Sequence, residues 1–472
     1  MYQPQGEANP AFHRLHMFPS QLIFFCILLS ISGGMEMNAV VAEIGGYAAR
    51  LGFAGEDYPR SYFPSCAGFI PPDDSTTRAT NPSSSKQNNS KQIQRKEYKF
   101  DLGHNDSRMN VHTPLSGGLV EDWDMVEQIW QHANKTALTV DLAQTPLLLI
   151  ERAFNTSKLR QEYAELMFEK FQSPALFLAK DSVLSCFACG KTSGLVVDIG
   201  AETTTVGPVQ DGWLEAKGLM RSHLGGRMVD RYLRAFLESD GVTIDPFLGQ
   251  PPVAGTGEGM SASYRDFATL EVVRGLKESV CRMPEASVTP KDPKDSSVPK
   301  ANYELPDGTV VSAGWERFQA ADILMNPEPA WELMPEGREE EDSMQVDGEE
   351  GGKEGEGGWS RESLPRMAAT AVRRCEKEQQ SPLLSSVVLA GGGACLEGTM
   401  ERLKVELENA MYGPGQAGST RVKVLQAGPQ ERKICAWLGG SIVGSLGTFH
   451  EMWVSKAEYG ERGARVVDTK CP

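Results

Sequence analysis

The chain has 472 residues, of which 40% are apolar and 23% charged, with a formal net charge of −16 at pH 7. That length supports two or three domains with substantial cores. The charge excludes a broad electrostatic grip on DNA and suits basic partners such as histones.

In chain order, Phe18 to Ile31 is an apolar run after Arg14 and before Ser32-Gly33-Gly34. It has the form of a secretory signal and is too short for a comfortable membrane span. Met35 and Met37 stand immediately before the first strand pattern, so residues 1–34 read as an extension upstream of the true start. NAVVAEIGG, Asn38 to Gly46, is an apolar strand tipped by Glu43 and turned by two glycines; Gly52 to Asp57 continues a glycine-rich hairpin. Residues 71–97 are Ser, Asn, Gln, Thr and Pro with hardly an apolar side chain, the composition of a disordered insertion. A helix is expected from GGLVEDWD onward, with acids in its first turn and a stripe of Val126, Ile129, Trp130 and Ala133. Leu147 to Ile150 reads as a buried strand, and Leu159 to Phe171 as a helix ended by Pro174. Cys186 and Cys189, two of nine cysteines, fall in the helical run DSVLSCFACG and lack a second C-x-x-C. They read as small apolar residues rather than zinc ligands, and the unframed odd count fits a reducing compartment.

GLVVDIGAETTT, Gly194 to Thr205, repeats the first hairpin: Asp198-Ile199-Gly200-Ala201 matches Glu43-Ile44-Gly45-Gly46. A carboxylate at a strand end beside a close-approach glycine suits a phosphate and its Mg²⁺; alone, the stretch equally fits a hairpin with one exposed acid. Two copies suggest two related α/β domains facing one nucleotide. Gly225-Gly226-Arg227 then opens a helix, and 241–263 is a Pro/Gly-rich insertion. Leu270 to Met283 reads as a helix, 284–300 as a linker, and Tyr303 to Val311 as a hairpin turning at Asp307-Gly308. Residues 336–356 hold ten acids against Arg338 and Lys353, half of the net charge, so 336–358 reads as an exposed acidic loop. Leu384 to Ala390 reads as a buried strand, Gly391-Gly392-Gly393 as a glycine turn and Gly398 to Met411 as a helix. That succession is a nucleotide-binding arrangement, because glycine lets a ring or phosphate lie against the backbone.

With these pieces in order, the chain resembles the actin family. The runs that carry this are GFAGEDYPR at Gly52, LMFEKFQSPALFLAKDSVLS from Leu166 and YELPDGTVVSAGWERF from Tyr303, with VVLAGGGACLEGTMERL from Val387 and the long run from Glu431 to Tyr459. The resemblance implies an actin-like ATPase fold, two ribonuclease-H-like α/β domains closing over ATP and Mg²⁺. It divides the chain into 35–188, 189–434 and a C-terminal segment, 435–472, returning to the first domain. Ile44-Gly45-Gly46-Tyr47, GGLVEDWD, Gly200-Ala201, the insertions and the Lys470-Cys471-Pro472 ending are more similar to a nuclear class of actin-related proteins than to actin. That class implies a scaffold subunit of chromatin-remodelling and histone acetyltransferase complexes, located in the nucleus. Its implied partners are actin and a helical segment of a remodeller ATPase or acetyltransferase scaffold. The alternatives are a cytoplasmic, filament-forming ATPase and, more distantly, a sugar kinase or chaperone-type ATPase of the same fold.

The resemblance also implies a site. Gly45, Gly46, Tyr47 and Arg50 take the positions that meet the β- and γ-phosphates. Actin has serine where Gly46 stands, a loss of one donor to a charged group worth about 1.5–3 kcal/mol. Glu43 and Asp198 are expected to hold the metal through water, Glu43 with one methylene more than actin's Asp. The second loop supplies Gly200, Ala201, Glu202 and Thr203; Ala201 replaces an acid and Glu202 a glycine, so Glu202 either opposes a phosphate or turns to solvent. Asp181 takes the position of the glutamine that orients attacking water, which makes hydrolysis weak or absent the expectation. Gly226, Arg274, Lys277 and Glu278 correspond to residues bordering the nucleoside, and Gly391, Gly392 and Lys433 to residues around the base. Direct DNA binding and membrane association are not expected.

Overall fold

The computed structural model describes residues 39–71, 96–102, 109–246, 261–288, 298–333, 359–416 and 421–472. The N-terminal extension and the acidic loop therefore lie outside the described residues, as do the central parts of the insertions expected at 71–97, 241–263 and 284–300. Among the described residues no helix is long and apolar enough to cross a membrane.

The first sheet grows from the Glu43 hairpin. Strand β1 (Val40–Ile44) pairs antiparallel with β2 (Ala48–Phe53), and β3 (Ser61–Pro64) continues outward from β2. On its other side β1 runs parallel to β4 (Leu147–Glu151), which runs parallel to β5 (Ala175–Lys180). The second sheet repeats this plan. Strand β6 (Gly194–Ile199) pairs antiparallel with β7 (Thr204–Gln210), whose outer edge carries β8 (Trp213–Leu214) and β9 (Met220–Ser222). On its other side β6 runs parallel to β10 (Val387–Ala390), and β10 to β11 (Val424–Gln426). Parallel neighbours require crossovers and bury both sheet faces. That is why Val40, Val41, Leu195, Val196 and Val197 form continuous apolar runs with no accessible surface. Each sheet sits in its own large hydrophobic core.

Helices cover these sheets. Helix α1 (Trp123–Ala133) is capped by Asp122, whose carboxylate accepts from the Met125 amide at 2.9 Å, and its expected stripe is fully buried. Helix α2 (Ser157–Glu165) starts two residues before the sequence pattern and passes into a π turn, Leu166–Lys170, where a uniform helix was expected. Helix α3 (Asp181–Ala188) carries Cys186, and α4 (Gly226–Ser239) opens at the glycine pair. Helix α5 (Ala262–Val280) begins well before Leu270, because Ser261 caps it, its hydroxyl accepting from the Tyr264 amide at 3.2 Å. The strand expected from Leu384 begins at Val387. Leu383 and Leu384 instead end α6 (Lys377–Leu384), where they are as buried as strand residues, so apolarity alone did not separate the two. Helix α7 (Thr399–Tyr412) follows the glycine turn as expected.

The chain then returns to the first sheet. Helix α8 (Cys435–Gly444) crosses α3 so closely that a Cβ on Gly439 would stand 1.9 Å from the Leu184 carbonyl oxygen. The indole of fully buried Trp437 donates to the Val41 carbonyl at 3.1 Å. Strand β12 (Val454–Ser455) pairs antiparallel with β5, placing Val454 opposite Leu176.

Candidate functional site

The two hairpins present their acids at equivalent places. Glu43 faces Arg50 across β1 and β2, and Asp198 faces Thr205 across β6 and β7. The C-terminal ends of both central strands open onto one cleft between the sheets, the usual place for a ligand in α/β proteins.

At its inner end, charged side chains fill most of the space. Arg50 meets Glu43 at 2.9 Å. Arg152, in the residues immediately after β4, reaches Asp198 at 2.9 Å and Asp181 at 3.1 Å through the same nitrogen. Its side chain is 14% exposed. Burial works against its charge, but Asp181 and Asp198 hold its pKa above the ordinary arginine value. Burial pushes the Asp198 carboxyl up to about 6, against the pull of Arg152. Asp181 is saturated: its Oδ1 also accepts from the Ala153 amide at 3.1 Å, the Ser182 amide at 2.6 Å and the Ser182 hydroxyl at 3.1 Å. A carboxylate so occupied has little left with which to orient water.

Glu202 turns inward, not to solvent. It pairs with Arg227 of α4, whose other terminal nitrogen donates to the Gly46 carbonyl at 3.0 Å. Its carboxylate fills the space that a side chain at residue 46 would occupy, with a Cβ on Gly46 only 2.9 Å from Glu202 Cδ. Burial raises its pKa, opposed by Arg227. The second loop is strapped to the start of α4, as the Gly226 amide donates to Gly200 O at 2.9 Å and the Arg227 amide to Ala201 O at 2.7 Å. The Gly200 amide closes the loop on Thr203 O at 2.9 Å. Thr203 itself is fully buried.

Further out, Tyr47 crosses the cleft. The Arg274 guanidinium lies 4.0 Å from its ring centroid, and its hydroxyl approaches Glu271 at 3.5 Å. Arg274 also pairs with Glu271 and, at 3.6 Å, with Asp230. Lys277 meets Asp230 at 2.7 Å and donates to the Gly226 carbonyl at 3.1 Å. Lys433 lies 3.5 Å from Glu278. Gly391 has φ +90°, and a Cβ there would meet Ile199 O at 2.3 Å and Asp198 Oδ1 at 2.4 Å, so the position requires glycine. A Cβ on Gly392 would meet nothing within 4 Å, leaving its backbone open.

The open space is unequal. About 100 Å³ remains in the compartment that runs from Glu43, Arg152 and Asp198 to Arg274, Lys277 and Lys433. About 1220 Å³ lies outward, between Lys277, Glu278, Gly392, Leu396, Arg402 and Lys433. The outer compartment exceeds the range of about 300–1,000 Å³ typical of small-molecule pockets, and the first falls short of it.

A repeated five-strand core with a glycine-lined cleft between its copies defines a two-domain nucleotide-binding class. The Actin family profile matches residues 34–472, and the chain belongs to the actin family. It is similar to Actin-related protein 4 of Oryza sativa subsp. indica, 37% identical over 465 residues, covering 93% of this chain and 100% of that protein. Actin-related protein 4 of Arabidopsis thaliana matches at 37% over 463 residues, with the same coverage. The protein of that name from Yarrowia lipolytica matches at 29% over 450 residues, covering 92% of this chain and 95% of the relative.

The residues expected at the nucleotide fit one in part. Glycines from three turns meet in the cleft with Arg274, Lys277 and Lys433, and one Glu43 oxygen and the Thr203 hydroxyl are buried without a hydrogen-bond partner. Mg²⁺ fits poorly. Glu43, Asp181 and Asp198 each face an arginine, and among the described residues no group of three or more His, Cys, Asp or Glu is placed to hold a metal ion. Sequence reasoning missed Arg152 and Arg227, both of which line the cleft. Trp359 stacks on His223 with ring centroids 3.7 Å apart and packs edge-on against Phe154.

Proposed function

We propose that this protein is an ATP-binding, non-hydrolysing scaffold subunit of nuclear chromatin-remodelling and histone acetyltransferase complexes. In this reading it pairs with actin on a helical segment of the remodeller ATPase or acetyltransferase scaffold subunit. The observation that carries it is the saturation of Asp181 by Arg152, Ala153 and Ser182. The position that would activate water is tied up, while the nucleoside end of the cleft stays open. Membership of the actin family and similarity to proteins named Actin-related protein 4 support the actin-related part of this reading.

Purification of the tagged protein from nuclei, followed by mass spectrometry, is expected to recover actin and a large remodeller or acetyltransferase subunit; recovering neither removes the reading. Pelleting with Mg-ATP together with phosphate release would instead support a filament-forming ATPase. The acidic residues 336–356 add a weaker proposal, contact with basic histone tails, which rests on charge alone. Deleting that stretch should lower histone pull-down, and unchanged recovery would end the idea.

A further inference from the structure

We propose that Arg152 takes the place of the divalent cation, so that the cleft binds its nucleotide without a metal ion. This rests on the nucleotide-binding reading above and goes beyond it in naming what neutralises the inner acids.

The carboxylates expected to hold a metal through water are Glu43 and Asp198, with Asp181 beside them. A metal so held would need those oxygens free to accept from its water shell in near-octahedral array. Here one guanidinium nitrogen sits 2.9 Å from Asp198 and 3.1 Å from Asp181, while Arg50 meets Glu43 at 2.9 Å. Arg152 therefore supplies the positive charge at the point where the two domains' acids converge, Asp181 from the first and Asp198 from the second. It is covalently attached and mostly enclosed. A guanidinium cannot be deprotonated in a protein, so the charge is permanent, and its planar fork matches phosphate as well as carboxylate. The Arg152–Asp198 pair also joins the two halves of the molecule.

Two measurements on the full-length protein separate this inference from the reading it rests on. First, ATP binding is followed calorimetrically in excess EDTA and in Mg²⁺. Affinities within about threefold of each other support the proposal. A loss of about 100-fold or more in EDTA overturns it. No binding in either condition removes the nucleotide reading itself. Second, Mn²⁺ is titrated into nucleotide-free protein and followed by electron paramagnetic resonance. Wild type should leave Mn²⁺ free, whereas Arg152→Ala, by releasing Asp181 and Asp198, should take it up. Wild-type Mn²⁺ binding that Asp198→Asn abolishes overturns the proposal, whatever the ATP result. Arg152→Lys keeps the charge and should stay metal-free. It serves as the second variant should Arg152→Ala fail to fold, and Mn²⁺ uptake by a folded Arg152→Lys would equally refute the replacement.

Discussion

Under the proposed nucleotide reading, Glu202 sets the terms on which a phosphate enters the cleft, and Glu202→Gln tests this without changing the side chain's shape. A Cβ on Gly46 would stand 2.9 Å from Glu202 Cδ. A phosphate oxygen resting on that turn therefore comes within about 4 Å of the carboxylate, where two unit charges repel by about 4 kcal/mol at an effective dielectric of about 20. Arg227, bonded to the same carboxylate, offsets about 1.5–3 kcal/mol of this. The remaining penalty, about 1–2.5 kcal/mol, corresponds to roughly 5- to 70-fold in affinity. Isothermal titration of the full chain is thus expected to show Glu202→Gln binding ATP about tenfold more tightly than wild type. The pH dependence has a definite sign. Burial raises the Glu202 pKa, so lowering the pH neutralises the carboxylate while it still lies against the turn. Wild-type affinity should rise relative to the variant's as pH falls, and the two should converge. Glu202→Gln binding ATP no better than wild type at pH 7 would refute the repulsion and imply that Glu202 swings clear or serves as a ligand.

Three further outcomes follow from backbone contacts and one cap. Gly391→Ala forces a Cβ onto Ile199 O and Asp198 Oδ1 at φ +90°, and should cost about 3 kcal/mol in urea unfolding; an unchanged midpoint would contradict the close approach. Gly439→Ala drives α8 off the Leu184 carbonyl and should cost a similar amount, about 3 kcal/mol, with hydrogen exchange accelerating first in residues 435–444. Glu458 is held down to about 2 by the Ser455 amide and by Lys470. Its stabilisation is therefore complete above the ordinary carboxylate pKa and is lost as pH falls through about 2. Because its side chain is 37% exposed, Glu458→Gln should cost at most about 1 kcal/mol at pH 7 after screening. The gap to wild type should narrow as pH falls from 5 toward 2, and a gap that widens reverses the sign.

Much of the framework was legible because it rests on local pattern. NAVVAEIGG and GLVVDIGAETTT announced two equivalent strands through their continuous apolar runs, and both became central strands at the same place in their sheets. Gly391 could be read as a close-approach glycine from its position between strand and helix, and its positive φ shows why. Arg152 could not be read this way. It stands one residue beyond a strand in sequence and gains its meaning from Asp181 and Asp198, 29 and 46 residues away. Nothing in the run IERAFN distinguishes it from a solvated strand-end arginine. Glu202 was ambiguous for the same reason, since its orientation depends on Arg227 and on the missing side chain at Gly46. The α5 start was missed because a helix cap among polar residues resembles the insertion preceding it, and the π turn after α2 leaves the apolar spacing almost unchanged.

The pairing of β12 with β5 has a consequence for biosynthesis. The sheet that the ribosome begins first is the one finished last. Between Lys180 and Ser455 lie roughly 275 residues, which take about 14–55 s to synthesise at about 5–20 residues per second. Throughout that interval one edge of β5 lacks its partner, and the Val41 carbonyl lacks the indole of Trp437. All strands of the second sheet emerge within the same interval and pair with one another. The second domain can therefore close on its own chain during translation, while the first presents an open strand edge, a template for mispairing, until β12 emerges.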